Sequence, residues 1–61
     1  MTWSELERLI KKAGWKFSHH GSRHDEYVHP TIPIAIQIER HKSQEVKTGL
    51  LNKILRDAGL K

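Results

Sequence analysis

The sequence predicts an α+β fold in which two helices cover one face of a three-stranded antiparallel sheet, in the order α-β-β-β-α. Two segments, one near each end of the chain, repeat apolar residues with the spacing of an amphipathic helix. Between them the apolar period falls to two, which is typical of half-buried strands. The chain has 61 residues, and we expect one small domain spanning residues 1–61.

The first helix is predicted to begin at a capping box formed by Thr2 and Glu5, where each side chain satisfies the backbone of the other residue. Gly14 is suited to the left-handed position after the helix, and Trp15 to the hydrophobic contact of a Schellman-type cap. The apolar face between these signals consists of Leu6, Leu9, Ile10 and Ala13.

The second helix is predicted to use the same design near the end of the chain. It begins within residues 47–49, and Gly59 and Leu60 end it as Gly14 and Trp15 end the first. Its apolar face consists of Leu51, Ile54, Leu55 and Ala58. Two amphipathic helices with one apolar face each indicate a shared core.

Three strands are predicted between the helices, over residues 15–19, 24–28 and 34–39. Gly21-Ser22 forms the first turn, the two prolines at 30–33 mark the second, and residues 40–47 form a polar loop. The inward residues are predicted to be Trp15, Phe17, Tyr27, Ile34, Ile36 and Ile38.

The direction of Tyr27 decides which face His24 occupies. If Tyr27 points into the core, strand alternation sends His24, Glu26 and Val28 outward, with His24 near Lys16 and Gln37 on the uncovered face. Val28 is the alternative core residue, and burying it would turn the strand over.

Composition limits the kinds of function. Eleven Lys and Arg against seven Asp and Glu give a net charge of +4, which suits an anionic partner such as nucleic acid but also ordinary solubility. The absence of cysteine excludes disulfides and thiolate zinc sites. No apolar run approaches the roughly 18 residues of a membrane span, and the polar, charged start is unlike a signal peptide, so we expect a soluble chain.

Four of the five histidines fall within residues 18–30, SHHGSRHDEYVHP. Adjacent His19 and His20 point to opposite faces of a strand, and no histidine spacing matches a zinc framework, so we expect no metal site. A second interpretation is that these histidines are simply exposed side chains at a polar turn. A third is that a histidine of this stretch transfers protons in catalysis.

Cleavage of RNA needs neither a metal nor a cofactor. A base takes the proton of a ribose 2′-hydroxyl, an acid protonates the departing 5′ oxygen, and cations hold the phosphate charge. A histidine with Lys or Arg nearby is sufficient for this chemistry, although many protein surfaces carry such a pair.

The sequence resembles the HicA toxins, the small mRNA interferases of HicBA toxin–antitoxin pairs. The resemblance covers residues 11–17, 21–30 and 38–60. Its motifs are Gly21-Ser22-Arg23-His24, which fits the Gly-Ser-x-His pattern of the family, then Arg40-His41, Glu45-Val46, Gly49 and the helix end from Ile54 to Leu60.

The chain departs from the family pattern at three positions. Glu39 stands where a proline is common, and Leu50 stands where a threonine often follows the glycine. We expect neither to touch the Gly-Ser-x-His element. Arg23 stands where many members carry a second histidine, so no role for that histidine carries over.

The resemblance implies a fold like that of double-stranded-RNA-binding domains and a metal-independent endoribonuclease that acts on mRNA, with His24 as its catalytic acid or base. It also implies a bacterial or archaeal cytoplasm, no cofactor, and a HicB-like antitoxin that covers the active face. The alternatives are a non-catalytic RNA-binding module of the same fold and a structural partner of another chain.

Supporting roles are predicted for the neighbours that we expect around His24. Gly21 and Ser22 shape the site, Glu26 orients or tunes His24, and His41 is a second candidate for proton transfer. The remaining histidines of the stretch, His19, His20 and His29, are predicted to be surface residues. The candidate ligands of RNA phosphates are Lys16, Arg23, Arg40 and His41.

Overall fold

The computed structural model describes all 61 residues and confirms the predicted element order. The three strands pair antiparallel in the order β1-β2-β3. This arrangement is compatible with the fold of double-stranded-RNA-binding domains. No helix has the length and apolarity that a membrane span requires. The elements are α1 (Trp3–Lys12), β1 (Lys16–His20), β2 (His24–Val28), β3 (Ile36–Glu39) and α2 (Thr48–Asp57).

Helix α1 has both of the predicted end signals. The Glu5 backbone N–H donates to the Thr2 hydroxyl at 3.2 Å, and the Thr2 N–H donates to the Glu5 carboxylate at 2.8 Å. Gly14 has a φ of +99°, and the N–H of Trp15 donates to the carbonyl of Ile10 at 3.1 Å. The helix therefore ends in the predicted Schellman-type cap.

Helix α2 ends in the same way and begins within the predicted range. Gly59 has a φ of +77°, and the N–H of Leu60 donates to the carbonyl of Leu55 at 2.8 Å. The helix starts at Thr48, and its N-cap residue Lys47 makes no side-chain capping bond.

One hydrophobic core joins the helices to one face of the sheet. The indole N–H of Trp15 donates to the carbonyl of Ala58 at 3.4 Å and so connects the start of β1 to the end of α2. Burial of Tyr27 beside an exposed Val28 confirms the predicted direction of β2. Trp3 and Val46 are also buried, although neither was among the predicted core residues. The ten buried residues are Trp3, Leu6, Ile10, Trp15, Tyr27, Ile36, Ile38, Val46, Ile54 and Ala58.

Two of the predicted inward residues are exposed, Phe17 at 46% and Ile34 at 42%. Phe17 pairs with Tyr27, but every residue of the edge strand β1 is exposed, because the helices cover only β2 and β3. Ile34 lies outside the sheet because β3 begins at Ile36 instead of residue 34.

Strand β1 contains an irregularity that alternation alone does not predict. The pairing shifts by one residue between Phe17 and His19, as in a β-bulge. His19 then lies opposite Glu26, and His20 lies opposite Asp25. The two adjacent histidines therefore occupy opposite faces of the sheet, as predicted.

Candidate active site

The hairpin between β1 and β2 fixes the start of the strand that carries His24. The N–H of Gly21 donates to the carbonyl of His24 at 2.7 Å, so Ser22 and Arg23 form the tip of the turn. A Cβ atom at residue 21 would lie 3.2 Å from the same carbonyl oxygen, a close approach that favours glycine. The guanidinium of Arg40 donates to the carbonyl of Gly21 and fastens the turn to the segment after β3.

His24 lies directly opposite Glu39 in the β2–β3 ladder. Its Nε2 atom is 3.3 Å from the Oε1 atom of Glu39, and the side chains are 37% and 36% exposed. The two residues form an ion pair when His24 carries a proton. The expectation that Glu39 does not touch the Gly-Ser-x-His element is therefore wrong.

The contact between His24 and Glu39 could have been predicted from the sequence. Once Tyr27 faces Ile36, counting three residues back along β2 and three forward along β3 pairs His24 with Glu39. Aligning the two predicted strands in this way would have placed Glu39 beside His24.

A cleft of about 200 Å³ opens beside His24, between β3 and α2. The open face expected around His24 is thus bounded on one side by side chains of α2. Leu50 and His24 both line this cleft, and the expectation that Leu50 does not touch the Gly-Ser-x-His element stays a prediction. The lining residues are Trp3, His24, Ala35, Ile36, Gln37, Glu39, Leu50, Lys53, Ile54 and Asp57.

A second depression of about 580 Å³ lies at the same end of the sheet and is lined by no hydrophobic residue. Glu39 lines both hollows and so connects the depression to His24. His41, whose distance from His24 the sequence left open, belongs to this end of the molecule. The lining residues are Ser22, Arg23, Glu39, Arg40 and His41.

Two predicted neighbours of His24 lie elsewhere on the outer face. Lys16 pairs with Val28 at the opposite end of β2, so its expected proximity to His24 is wrong. The carboxylate of Glu26 lies 3.6 Å from His19 Nδ1. The carboxylate in contact with His24 belongs to Glu39 instead. The shifted pairing of β1 is the reason that Glu26 faces His19.

Asp25, next to His24 but on the opposite face, anchors this end of β2. Its carboxylate lies 2.7 Å from His20 Nδ1, 3.4 Å from Arg40 Nε and 3.5 Å from Lys42 Nζ. The hydrogen bond with His20 is the main cause that holds the pKa of Asp25 below its ordinary value. Burial raises this pKa, and the positive charge of Lys42 lowers it further.

Lys42 extends this network to α1. Its Nζ atom lies 2.7 Å from the carboxylate of Glu7, which also accepts a hydrogen bond from the Tyr27 hydroxyl. Burial raises the pKa of Glu7, but the hydrogen bonds from Lys42 and Tyr27 outweigh it and hold that pKa below its ordinary value. Burial, followed by the Glu7 carboxylate, raises the pKa of Tyr27 well above its ordinary value.

His29 has a structural place, and the prediction that it is a surface residue is wrong. Its Nε2 atom lies 3.2 Å from the carbonyl of Ala13, its Nδ1 accepts the N–H of Thr31 at 3.1 Å, and its ring packs on Trp15. The carbonyls at a helix end need donors, and His29 supplies one to α1. His19 and His20 are exposed, as predicted. No three His, Asp or Glu side chains are grouped so as to hold a metal ion.

The fold and the site define a small, basic α+β domain with one histidine between a charged depression and a partly apolar cleft. Residues 3–60 match the family model described as the HicA toxin of bacterial toxin–antitoxin. The chain belongs to the HicA toxin family. Comparison with curated proteins finds no match.

Proposed function

We propose that this toxin is an endoribonuclease that cleaves mRNA without a metal ion, with His24 as its proton-transfer residue. Membership of the HicA family supports a toxin that acts in this way. The observation that carries the proposal is the position of His24, partly exposed beside Glu39 and next to a depression lined by Arg23, Arg40 and His41.

His24 acts as the base in the proposed reaction. It takes the proton of a ribose 2′-hydroxyl, and the 2′ oxygen forms a bond to the adjacent phosphorus while the bond from phosphorus to the 5′ oxygen breaks. Glu39 compensates the positive charge that the ring gains. His41 gives a proton to the departing 5′ oxygen. The products are a 2′,3′-cyclic phosphate and a 5′-hydroxyl.

Arg23 and Arg40 hold the negative charge of the phosphate that is cut. Guanidinium groups suit this task because they remain protonated and donate two parallel hydrogen bonds to phosphate oxygens. Lys16 lies four residues from His24 along the ladder, roughly 13 Å away, and binds a different phosphate of the same strand.

A HicB-like antitoxin inhibits the toxin in this proposal by covering the end of the sheet that carries His24. Family membership supports the pairing with an antitoxin. Binding would also stabilise a domain of only 61 residues by mass action. The pair would act in the cytoplasm, where mRNA is translated.

The test is to replace His24 with Ala and with Gln. Loss of the proton-transfer group is expected to reduce RNA cleavage by a factor of about 10²–10⁴ and to abolish growth arrest. His19→Ala is the matched control, since His19 lies on the same face of the same hairpin and is exposed. Circular dichroism and thermal unfolding verify that all variants fold.

Undiminished cleavage by both His24 variants would contradict the assignment of His24. Cleavage that EDTA abolishes and Mg²⁺ restores would contradict the metal-free mechanism. Salt-dependent binding of RNA with no strand cleavage would instead support a non-catalytic RNA-binding module.

A further inference from the structure

The cleft between β3 and α2 differs in chemistry from the depression beside it. Its lining includes Trp3 and Ile54, both of the hydrophobic core, and Leu50, which is 44% exposed. The depression on the other side of Glu39 has only polar and charged residues. The two hollows therefore suit chemical groups of different kinds, one partly apolar and one anionic.

The size of the cleft limits what it can hold. Its volume of about 200 Å³ is below the roughly 300–1,000 Å³ typical of pockets for drug-sized ligands. A single flat ring system fits such a space better than a helix or an extended peptide.

RNA carries both kinds of chemistry within one nucleotide. Its phosphate suits Arg23 and Arg40, whereas an unstacked base has apolar faces and a polar edge that proteins recognise in single strands. Because Glu39 lines both hollows, a phosphate in the depression and a base in the cleft would lie side by side.

We propose that the cleft between β3 and α2 is a subsite for one nucleobase next to the phosphate that is cut. Leu50, with Trp3 and Ile54, supplies apolar contact to the ring. Gln37 and the ion pair between Lys53 and Asp57, 2.8 Å apart, supply donors and acceptors for its edge. This subsite rests on the proposed function, and it makes the toxin selective for one base.

The subsite also determines the form of the RNA. A base enters the cleft only when it is free of a partner strand, because the pairing edge of a duplex base is occupied. The toxin therefore cuts single-stranded RNA in preference to a duplex of the same sequence.

The first experiment compares the wild type with Leu50→Thr on short single-stranded RNAs that differ in one base at either side of the cut. The wild type is expected to prefer one base by about tenfold or more in kcat/KM, and Leu50→Thr is expected to reduce that preference. Leu60→Thr is the control, since Leu60 has similar exposure, 40%, and lies outside the cleft. Equal kcat/KM for all four bases, or a preference that Leu50→Thr leaves unchanged, would overturn the subsite.

The second experiment does not depend on cleavage. Each of the four nucleosides and, separately, inorganic phosphate is added to the isotope-labelled protein, and backbone amide shifts are followed by NMR. At least one nucleoside is expected to shift Gln37 and Leu50, and phosphate is expected to shift Arg23 and Arg40. If no nucleoside perturbs the cleft while the wild type still cleaves RNA, the subsite fails and the proposed function stands. Nucleoside binding at the cleft without any cleavage would overturn the proposed function, and with it the placement of the subsite next to a phosphate that is cut.

Discussion

At the scale of single residues, the contact between His24 and Glu39 is the feature with the most direct chemical consequence. A carboxylate 3.3 Å from an imidazole limits the orientations of the ring and balances its charge when it is protonated. Since both side chains are about one-third exposed, water weakens the interaction.

Glu39→Gln is therefore expected to slow cleavage without abolishing it. Loss of a partly exposed charge pair is worth about 1 kcal/mol or less, which corresponds to a decrease of up to about fivefold in kcat/KM. Glu26→Gln is the matched control, because that carboxylate lies on the same face but contacts His19. A larger decrease for Glu26→Gln than for Glu39→Gln would contradict the assigned partner.

At the scale of elements, the end of α1 depends on a glycine and a histidine together. Gly14 has a left-handed φ of +99°, and a Cβ atom there would lie 3.0 Å from the ring of His29. The ring in turn contacts the carbonyl of Ala13. The loop after β2 is thus tied to the cap of α1.

Gly14→Ala is expected to lower the free energy of unfolding by about 1–2 kcal/mol, because alanine is strained in the left-handed region and the ring must also move. Chemical denaturation measures the effect. Gly49→Ala is the control, since Gly49 has open space around its Cα and lies inside α2, where alanine is tolerated or favoured. Equal destabilisation by the two changes would contradict the role of the α1 cap.

At the scale of the whole molecule, a network of charges connects three parts of the chain. Lys42, from the loop after β3, contacts Glu7 of α1 and Asp25 of β2. Both carboxylates are mostly buried, with 20% and 13% of the side chain exposed. The network therefore contributes to stability only while these groups are ionised.

This network makes the domain sensitive to acid. The pKa of Glu7 is lower in the folded chain than its ordinary value of 4.5, so its contribution is complete above pH 4.5 and is lost as the pH falls through the folded value. Glu7→Gln is expected to lower the free energy of unfolding at neutral pH by about 1–2 kcal/mol and to flatten its decline in acid. Urea denaturation between pH 3 and 7 measures both, with Asp57→Asn as control, since the partly exposed Asp57 contacts only Lys53 of its own helix. If the free energy of unfolding of Glu7→Gln declined in acid as steeply as that of the wild type, the role of Glu7 in acid sensitivity would be contradicted.

The net charge of +4 predicts that salt weakens RNA binding. If Lys16, Arg23 and Arg40 each neutralise one phosphate, the logarithm of the binding constant should fall with the logarithm of salt concentration with a slope of about −2 for single strands. The measurement uses His24→Ala, which leaves the RNA uncut. Arg23→Ala is expected to make the slope shallower by about 0.7. An unchanged slope would show that Arg23 does not contact an RNA phosphate.

The sequence by itself determined the two helices, the N-terminal cap of the first, the glycine caps of both and the presence of three strands. These features depend on residues only a few positions apart, such as the Thr2–Glu5 box and the glycines after each helix. It also predicted the turn at Gly21-Ser22 before the strand that begins at His24, since Gly21 and His24 are near neighbours in the chain.

The tertiary structure alone decided which side chains surround His24. The β2–β3 register brings Glu39 to the histidine, the shifted pairing of β1 turns Glu26 toward His19, and the position of α2 adds Leu50 to the cleft. Strand register and helix placement depend on how distant segments pack, and a periodic pattern in one segment does not contain that information.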